Sequence, residues 1–332
     1  MTEIVQKNDR RLEVDTLRGL ACLLLVFYHV VGSSAASGLH VEKGVLREFN
    51  DLLVHVRMPI FTVLSGFVYG ARPFSGGFFE FLVGKAKRLL VPMLFVGTFF
   101  ALIQSFVPGS NHRVESWLLL HVIPYAHFWF VESLFLIFVV VAVLEYWQKI
   151  TDGRSFFFVL LIAVLLMLSG AGFEYFSVKG AVYLFPYFMF GLLLKRFALL
   201  DGVGRAAGVC VLAVVFVCML VWGERIGTDR QSVASLVVAV SSVSALYAMR
   251  LKFYWLAWVG VRSYSIYLYH VFFAAGARIL SASMEVDSLG AMVVLGVVCG
   301  VLGPILVEHL VPDYSFSRRL FLGASVKRDR AK

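Results

Sequence analysis

From about residue 17 to about residue 310 the chain consists of apolar stretches, several of them roughly 20 residues long, separated by polar joints. A helix of about 20 apolar residues covers a hydrocarbon core roughly 30 Å thick. Unpaired backbone is not tolerated there, so each stretch has to be helical. The repetition predicts an all-α fold, a polytopic membrane bundle of about ten transmembrane helices. Composition agrees: of 332 residues, 60% are hydrophobic and only 15% charged, against about 25% charged in a soluble domain. No polar segment is long enough for a separate soluble domain. Residues 1–332 therefore read as one integral-membrane domain, with 1–16 as an N-terminal segment and 311–332 as a basic tail.

The spans are predicted at 17–36, 52–70, 89–107, 127–147, 155–170, 181–196, 206–223, 232–250, 262–280 and 289–310, with an interfacial amphipathic piece at Ser116–Pro124. Residues 37–51 and 70–88 read as loops. Most of the 30 Lys and Arg residues then fall on one side, the cytoplasmic side by the positive-inside rule. Both termini share that side. The net charge of +9 thus implies anionic membrane lipids and no nucleic acid. The basic N-terminus lacks a clean small-residue cleavage pattern and reads as a retained first span. Cys22, Cys210, Cys218 and Cys299 lie in apolar runs and read as small hydrophobes, with neither zinc spacing nor a disulfide framework. No metal-ligand cluster is visible.

Several residues exceed what topology explains. In "DTLRGLACLLLVFYH", eleven steps of about 100° put Arg18 and His29 on one helix face, roughly 16 Å apart along the axis. Asp15, three residues before Arg18, can pair with it. Ionisable groups inside a membrane usually face an interior or a cavity and mark function. "FLVGKAKRLLVP" supplies Lys85, Lys87 and Arg88, cations suited to phosphate oxygens. Pro92 reads as lying near the start of the third span. Arg57 in "VRMPIFTVLSGF" and Glu132 in "HFWFVESLF" fall at the depth of His29, as does Arg278, so that an acid, an imidazole and two guanidiniums form one layer. In "GVRSYSIYLYH", Tyr267 and His270 are neighbours on one face, and His270 is expected below that layer. Gly296 and Gly300 have the spacing of a close helix contact.

Taken together, "RLEVDTLRGLACLLLVFYH", "MPIFTVLSGF", "KAKRLLVP", "HFWFVESL" and "GVRSYSIYLYH" make the chain resemble acyltransferase family three, the integral-membrane O-acyltransferases of bacterial surface sugars. The resemblance implies ten spans in the bacterial cytoplasmic (inner) membrane. It also implies transfer of an acyl group, often acetyl, from cytoplasmic acyl-CoA to a hydroxyl of a cell-surface or lipid-linked saccharide. Arg18 and His29 match the family's essential first-span pair. Lys85 and Arg88 match a basic pair that is commonly Arg-x-x-Arg. Arg57 stands where relatives often carry a histidine.

A positioned imidazole is a suitable base for a hydroxyl nucleophile. His29 is therefore expected as general base or, alternatively, as a covalent relay. Glu132 is expected to orient it, Arg18 to hold the donor, and Lys85, Lys87 and Arg88 to bind CoA phosphates. Asp15, Arg57, Tyr267 and His270 support the site, and no cofactor is permanently bound. A carrier of anionic solutes and a non-catalytic receptor are the rival classes.

Overall fold

The structure, a computed structural model, describes residues 2–324 apart from 75, 108–113 and 115. The charged end of the basic tail, 325–332, lies outside the described residues. Among these there are thirteen α-helices and no strand: α1 Thr2–Val31, α2 Val45–Leu52, α3 Val54–Ala71, α4 Phe78–Phe106, α5 Trp129–Tyr146, α6 Gly153–Leu168, α7 Val178–Arg196, α8 Arg205–Ile226, α9 Val233–Ala248, α10 Tyr254–Val261, α11 Ser263–Ser283, α12 Leu289–Leu310 and α13 Ser315–Leu322.

Each of the ten expected spans falls on a helix. Seven helical stretches are long and apolar enough to cross a membrane: Arg11–Val31, Val45–Ala71, Phe78–Phe106, Ala126–Tyr146, Tyr175–Arg196, Arg205–Gly223 and Leu289–Leu310. Helices α6 and α9 are apolar but shorter. Helix α11 has the length, but Tyr264, Tyr267, His270 and Arg278 lower its hydropathy.

The molecule is inside-out by the standards of a soluble protein. Helix α8 exposes Val214, Phe216, Val217, Leu220 and Val221 along its length, a surface that water would penalise and lipid does not. Polar groups such as Asp15, Asn50, Arg57, His127, Glu132 and His270 are buried instead.

Glycines set the tightest crossings. A Cβ on Gly19 of α1 would sit 1.9 Å from the Leu256 carbonyl oxygen of α10, and one on Gly260 of α10 would sit 1.9 Å from that of Asp15. Gly66 and Gly191 do the same for α3 and α7, against Phe188 and Val63. Gly296 and Gly300 of α12 receive Val30 and Val26 of α1, the close packing that their spacing implied.

Three expectations need correcting. The first helix ends at Val31 rather than 36, because Gly32 turns left-handed at φ +108° and the chain folds back until the Leu39 N–H reaches the Val30 carbonyl at 2.9 Å. Arg47 and Asn50 of α2, in a segment expected to be loop, donate to the Gly32 carbonyl at 3.0 Å each and close that helix end. Lys85, Lys87 and Arg88 are helical, since α4 starts at Phe78. Its 29 residues make it about 43 Å long, longer than a hydrocarbon core, so its first turns can carry charge beyond the lipid. Pro92 consequently lies inside α4 rather than near its start.

Candidate active site

His29 occupies the last turn of α1, where the fold-back of 32–39 opens the helix end to a cavity of about 320 Å³. His127, from a 3₁₀ turn over Ala126–Phe128, lines the same cavity, together with Gln104, Ser37 and Arg278. The Arg278 guanidinium donates to the Gly38 carbonyl at 2.8 Å, fixing the fold-back as one wall.

Three imidazoles converge here. The His29 and His270 ring centroids are 4.9 Å apart, those of His127 and His270 also 4.9 Å, and those of His29 and His127 5.8 Å, all edge-to-face. His270 is fully buried. Its Nδ1 lies 2.9 Å from the carbonyls of Ile266 and Tyr267, which assigns the proton to Nδ1 and leaves Nε2 as the acceptor. Nε2 makes no hydrogen bond among the described residues. The Tyr267 hydroxyl donates to the His127 carbonyl, tying α11 to the turn that carries the third imidazole. His270 thus packs directly against the His29 ring.

Arg57, 3% exposed, lies over the Tyr28 ring at 3.5 Å from its centroid and donates to the Asn50 side-chain oxygen at 3.2 Å. It therefore braces the turn of α1 bearing His29 without lining the cavity. Glu132 is buried further along α5, accepts from the Ser177 hydroxyl and lies within Coulombic reach of Tyr267. Of the expected layer, His29 and Arg278 share the cavity, Arg57 packs on Tyr28 outside it, and Glu132 is tied to Ser177.

A second cluster forms near the middle of α1. The Arg18 guanidinium donates to the Asp15 carboxylate at 3.2 Å, the i, i+3 pair expected from sequence. Arg88 of α4 is within Coulombic reach of Arg18, although seventy residues separate them. Gly323, at the end of α13, covers the Arg88 backbone so closely that a Cβ there would lie 2.1 Å from its carbonyl oxygen. The Tyr264 hydroxyl donates to the Leu89 carbonyl at 2.7 Å. Lys85, one turn from Arg88, lies over the Phe138 ring at 3.7 Å from its centroid, a cation–π contact. Lys87 is exposed. The structure thus brings Arg18, Arg88 and Lys85 within Coulombic reach of one another through Arg88, while Lys87, two residues from Lys85, does not share its helix face.

His127 was not singled out by sequence reasoning, although it opens the very stretch, "HFWFVESLF", that yielded Glu132. A histidine at the first residue of an apolar span was the available signal. Among the described residues no group of three or more His, Cys, Asp or Glu side chains is arranged to hold a metal ion.

A family model described as an acyltransferase domain matches residues 11–309. No curated protein matches the chain, and no solved structure does.

Proposed function

This chain belongs to acyltransferase family three, and on that footing we propose that it transfers an acyl group, most simply acetyl, from cytoplasmic acyl-CoA to a hydroxyl of a cell-surface or lipid-linked saccharide. The protein crosses the bacterial cytoplasmic membrane ten times, α6, α9 and α11 completing the seven longer apolar stretches, with both termini in the cytoplasm. The observation that carries the reading is the placement of two different chemistries at two levels of α1, its middle and its last turn. Arg18, Arg88 and Lys85 gather around its middle, and at its last turn His29 and His127 border a cavity with His270 packed behind them.

Arg18 and Arg88 suit the phosphates of CoA, since guanidinium makes charge-assisted, bidentate bonds to phosphate oxygens. The extended pantetheine arm runs along α1 and presents the thioester near His29. The acceptor hydroxyl enters from the outer cavity and gives its proton to His29 as its oxygen attacks the thioester carbonyl. The tetrahedral intermediate collapses with cleavage of the C–S bond. The proton returns to the departing thiolate, giving an O-acyl ester and free CoA. His270, anchored through Nδ1, and His127 hold the His29 ring and supply a polar lining where charge develops.

The test is incubation of membrane vesicles containing the protein with radiolabelled acetyl-CoA. Label appearing in saccharide supports the reading; solute movement without covalent product contradicts it. Acid-quenched protein that retains label on His29 would replace the base by a covalent relay.

A further inference from the structure

On the far side of the turn carrying His127 lies a second, more polar pocket of about 460 Å³, sharing Ala126 with the first. Its walls come from Trp129, the start of α7, and the loop Gly227–Ser232 between α8 and α9. Three features point to a ligand. First, Tyr183 lines the pocket at 5% exposed, and its hydroxyl has no hydrogen-bond partner among the described residues, a cost normally avoided. Second, Arg230 is half-buried in the pocket wall and makes no hydrogen bond or ion pair among the described residues. Behind it, buried Arg57 lies within Coulombic reach of both Arg230 and Tyr183 and has no carboxylate at ion-pair distance among those residues. Asp229 and Glu174 also line the pocket, but Glu174 binds Lys179 at 3.1 Å and Asp229 accepts the Gln231 N–H at 2.9 Å. Asp51 is the carboxylate that acts on Arg57, and it is already paired with Arg47 at 2.7 Å, which leaves the positive charge of Arg57 without a carboxylate of its own.

Third, the wall holds backbone strain. Phe176 and Ser177 both adopt left-handed conformations, φ +52° and +57°, which non-glycine residues keep only when their surroundings enforce them. Here α5 enforces them: the Ser133 hydroxyl donates to the Ser177 carbonyl at 3.0 Å, and the Ser177 hydroxyl donates to Glu132. The partly exposed Trp129 ring is seated over Gly180, where a Cβ would lie 2.8 Å from the indole. His55 holds the opposite loop, its Nε2 3.0 Å from the Gly227 carbonyl.

We propose that this pocket binds an anionic saccharide, its ring against Trp129 and its carboxylate or phosphate against Arg230 and the Tyr183 hydroxyl. The apolar C–H face of a pyranose suits an indole, and an anion supplies the acceptors that Tyr183 and Arg230 lack. The inference rests on the acyltransferase reading, since it delivers the acceptor to the turn that carries His127. Glu132 then acts by positioning Ser177 in the pocket wall.

The test is quenching of tryptophan fluorescence of the full chain in detergent micelles by glucuronate, glucose 1-phosphate and neutral methyl glucoside. One or both anions are expected to bind saturably, about tenfold or more tighter than methyl glucoside, the worth of one charge-assisted contact; which anion binds tells carboxylate from phosphate. Arg230→Gln, on a loop, removes that preference, Tyr183→Phe weakens it, and Trp129→Phe removes the signal. Equal affinity for all three sugars, no saturable binding, or an Arg230→Gln variant that binds like the wild type overturns the proposal. Acetyl-CoA binding is measured in the same preparation. If it is intact while anion preference is absent, this inference alone fails; if acetyl-CoA does not bind, the acyltransferase reading fails with it.

Discussion

His29 of α1 and His270 of α11 stand edge-to-face with ring centroids 4.9 Å apart, and His270 offers an acceptor nitrogen because its Nδ1 is committed to two carbonyls of its own helix. A ring fixed in this way can fix its neighbour. In the proposed reaction His270 is a positioning residue, and the geometry specifies how its loss differs from the loss of a base.

His270→Ala should lower kcat by about 10²-fold, within the range of a disturbed general base, and leave the KM for acyl-CoA unchanged. His270→Gln should recover much of that loss, because its amide oxygen can occupy the place of Nε2. Steady-state kinetics in proteoliposomes checks both. Equal loss in the two variants would indicate that the residue only fills space.

Near the middle of α1, Arg18→Ala, and on α4, Arg88→Ala, should each raise the KM for acyl-CoA by about tenfold, as for one charge-assisted contact. Their combined effect should be less than additive, because the two guanidiniums share one Coulombic neighbourhood. Lys87→Ala should leave the donor KM near the wild-type value, as Arg88 and not Lys87 is the charge that acts on Lys85. Donor titrations at saturating acceptor distinguish these cases.

Stability is most sensitive where helices touch through glycine. Gly19→Ala and Gly191→Ala each drive a methyl group against a backbone carbonyl of the facing helix. Each should cost about 1–3 kcal/mol, as overpacking of a filled interior does. Thermal unfolding in detergent measures it. Gly202→Ala, where a Cβ meets nothing within 4 Å, is the matched control.

His121 provides a pH prediction outside the spans. It pairs with the Thr98 hydroxyl at 2.8 Å, and burial lowers its pKa below the ordinary imidazole value. The unfolded or undocked segment therefore binds more protons than the docked one on the acid side of that value, and docking strengthens as pH rises. Full stability is present above about pH 6.5 and is lost progressively as pH falls toward the lowered value. Hydrogen–deuterium exchange over Trp117–Tyr125 should accelerate on acidification in the wild type, and much less in His121→Gln.

Much of this was legible in the chain. The long helices follow from apolar runs, and the Asp15–Arg18 pair follows from spacing along one helix. Helices α2, α10 and α13 were not legible, since eight residues carry too little periodicity to register. Nor was the gathering of His29, His127 and His270. Depth arithmetic orders residues along the membrane normal but does not say which helices are neighbours. That choice is made by crossings such as Gly19 on Leu256 and Gly260 on Asp15. Arg18 and Arg88 met for the same reason. Glu132 has the residue type expected of the site, yet its carboxylate accepts from Ser177.

The most direct test of the central claim is acyl transfer by His29→Ala. In vesicles supplied with radiolabelled acetyl-CoA, the variant should insert normally and bind donor with wild-type affinity. Its transfer rate to saccharide should fall by about 10²–10⁴-fold, the contribution of a general base. Transfer at the wild-type rate would contradict the assignment of His29 as the group that takes the acceptor's proton.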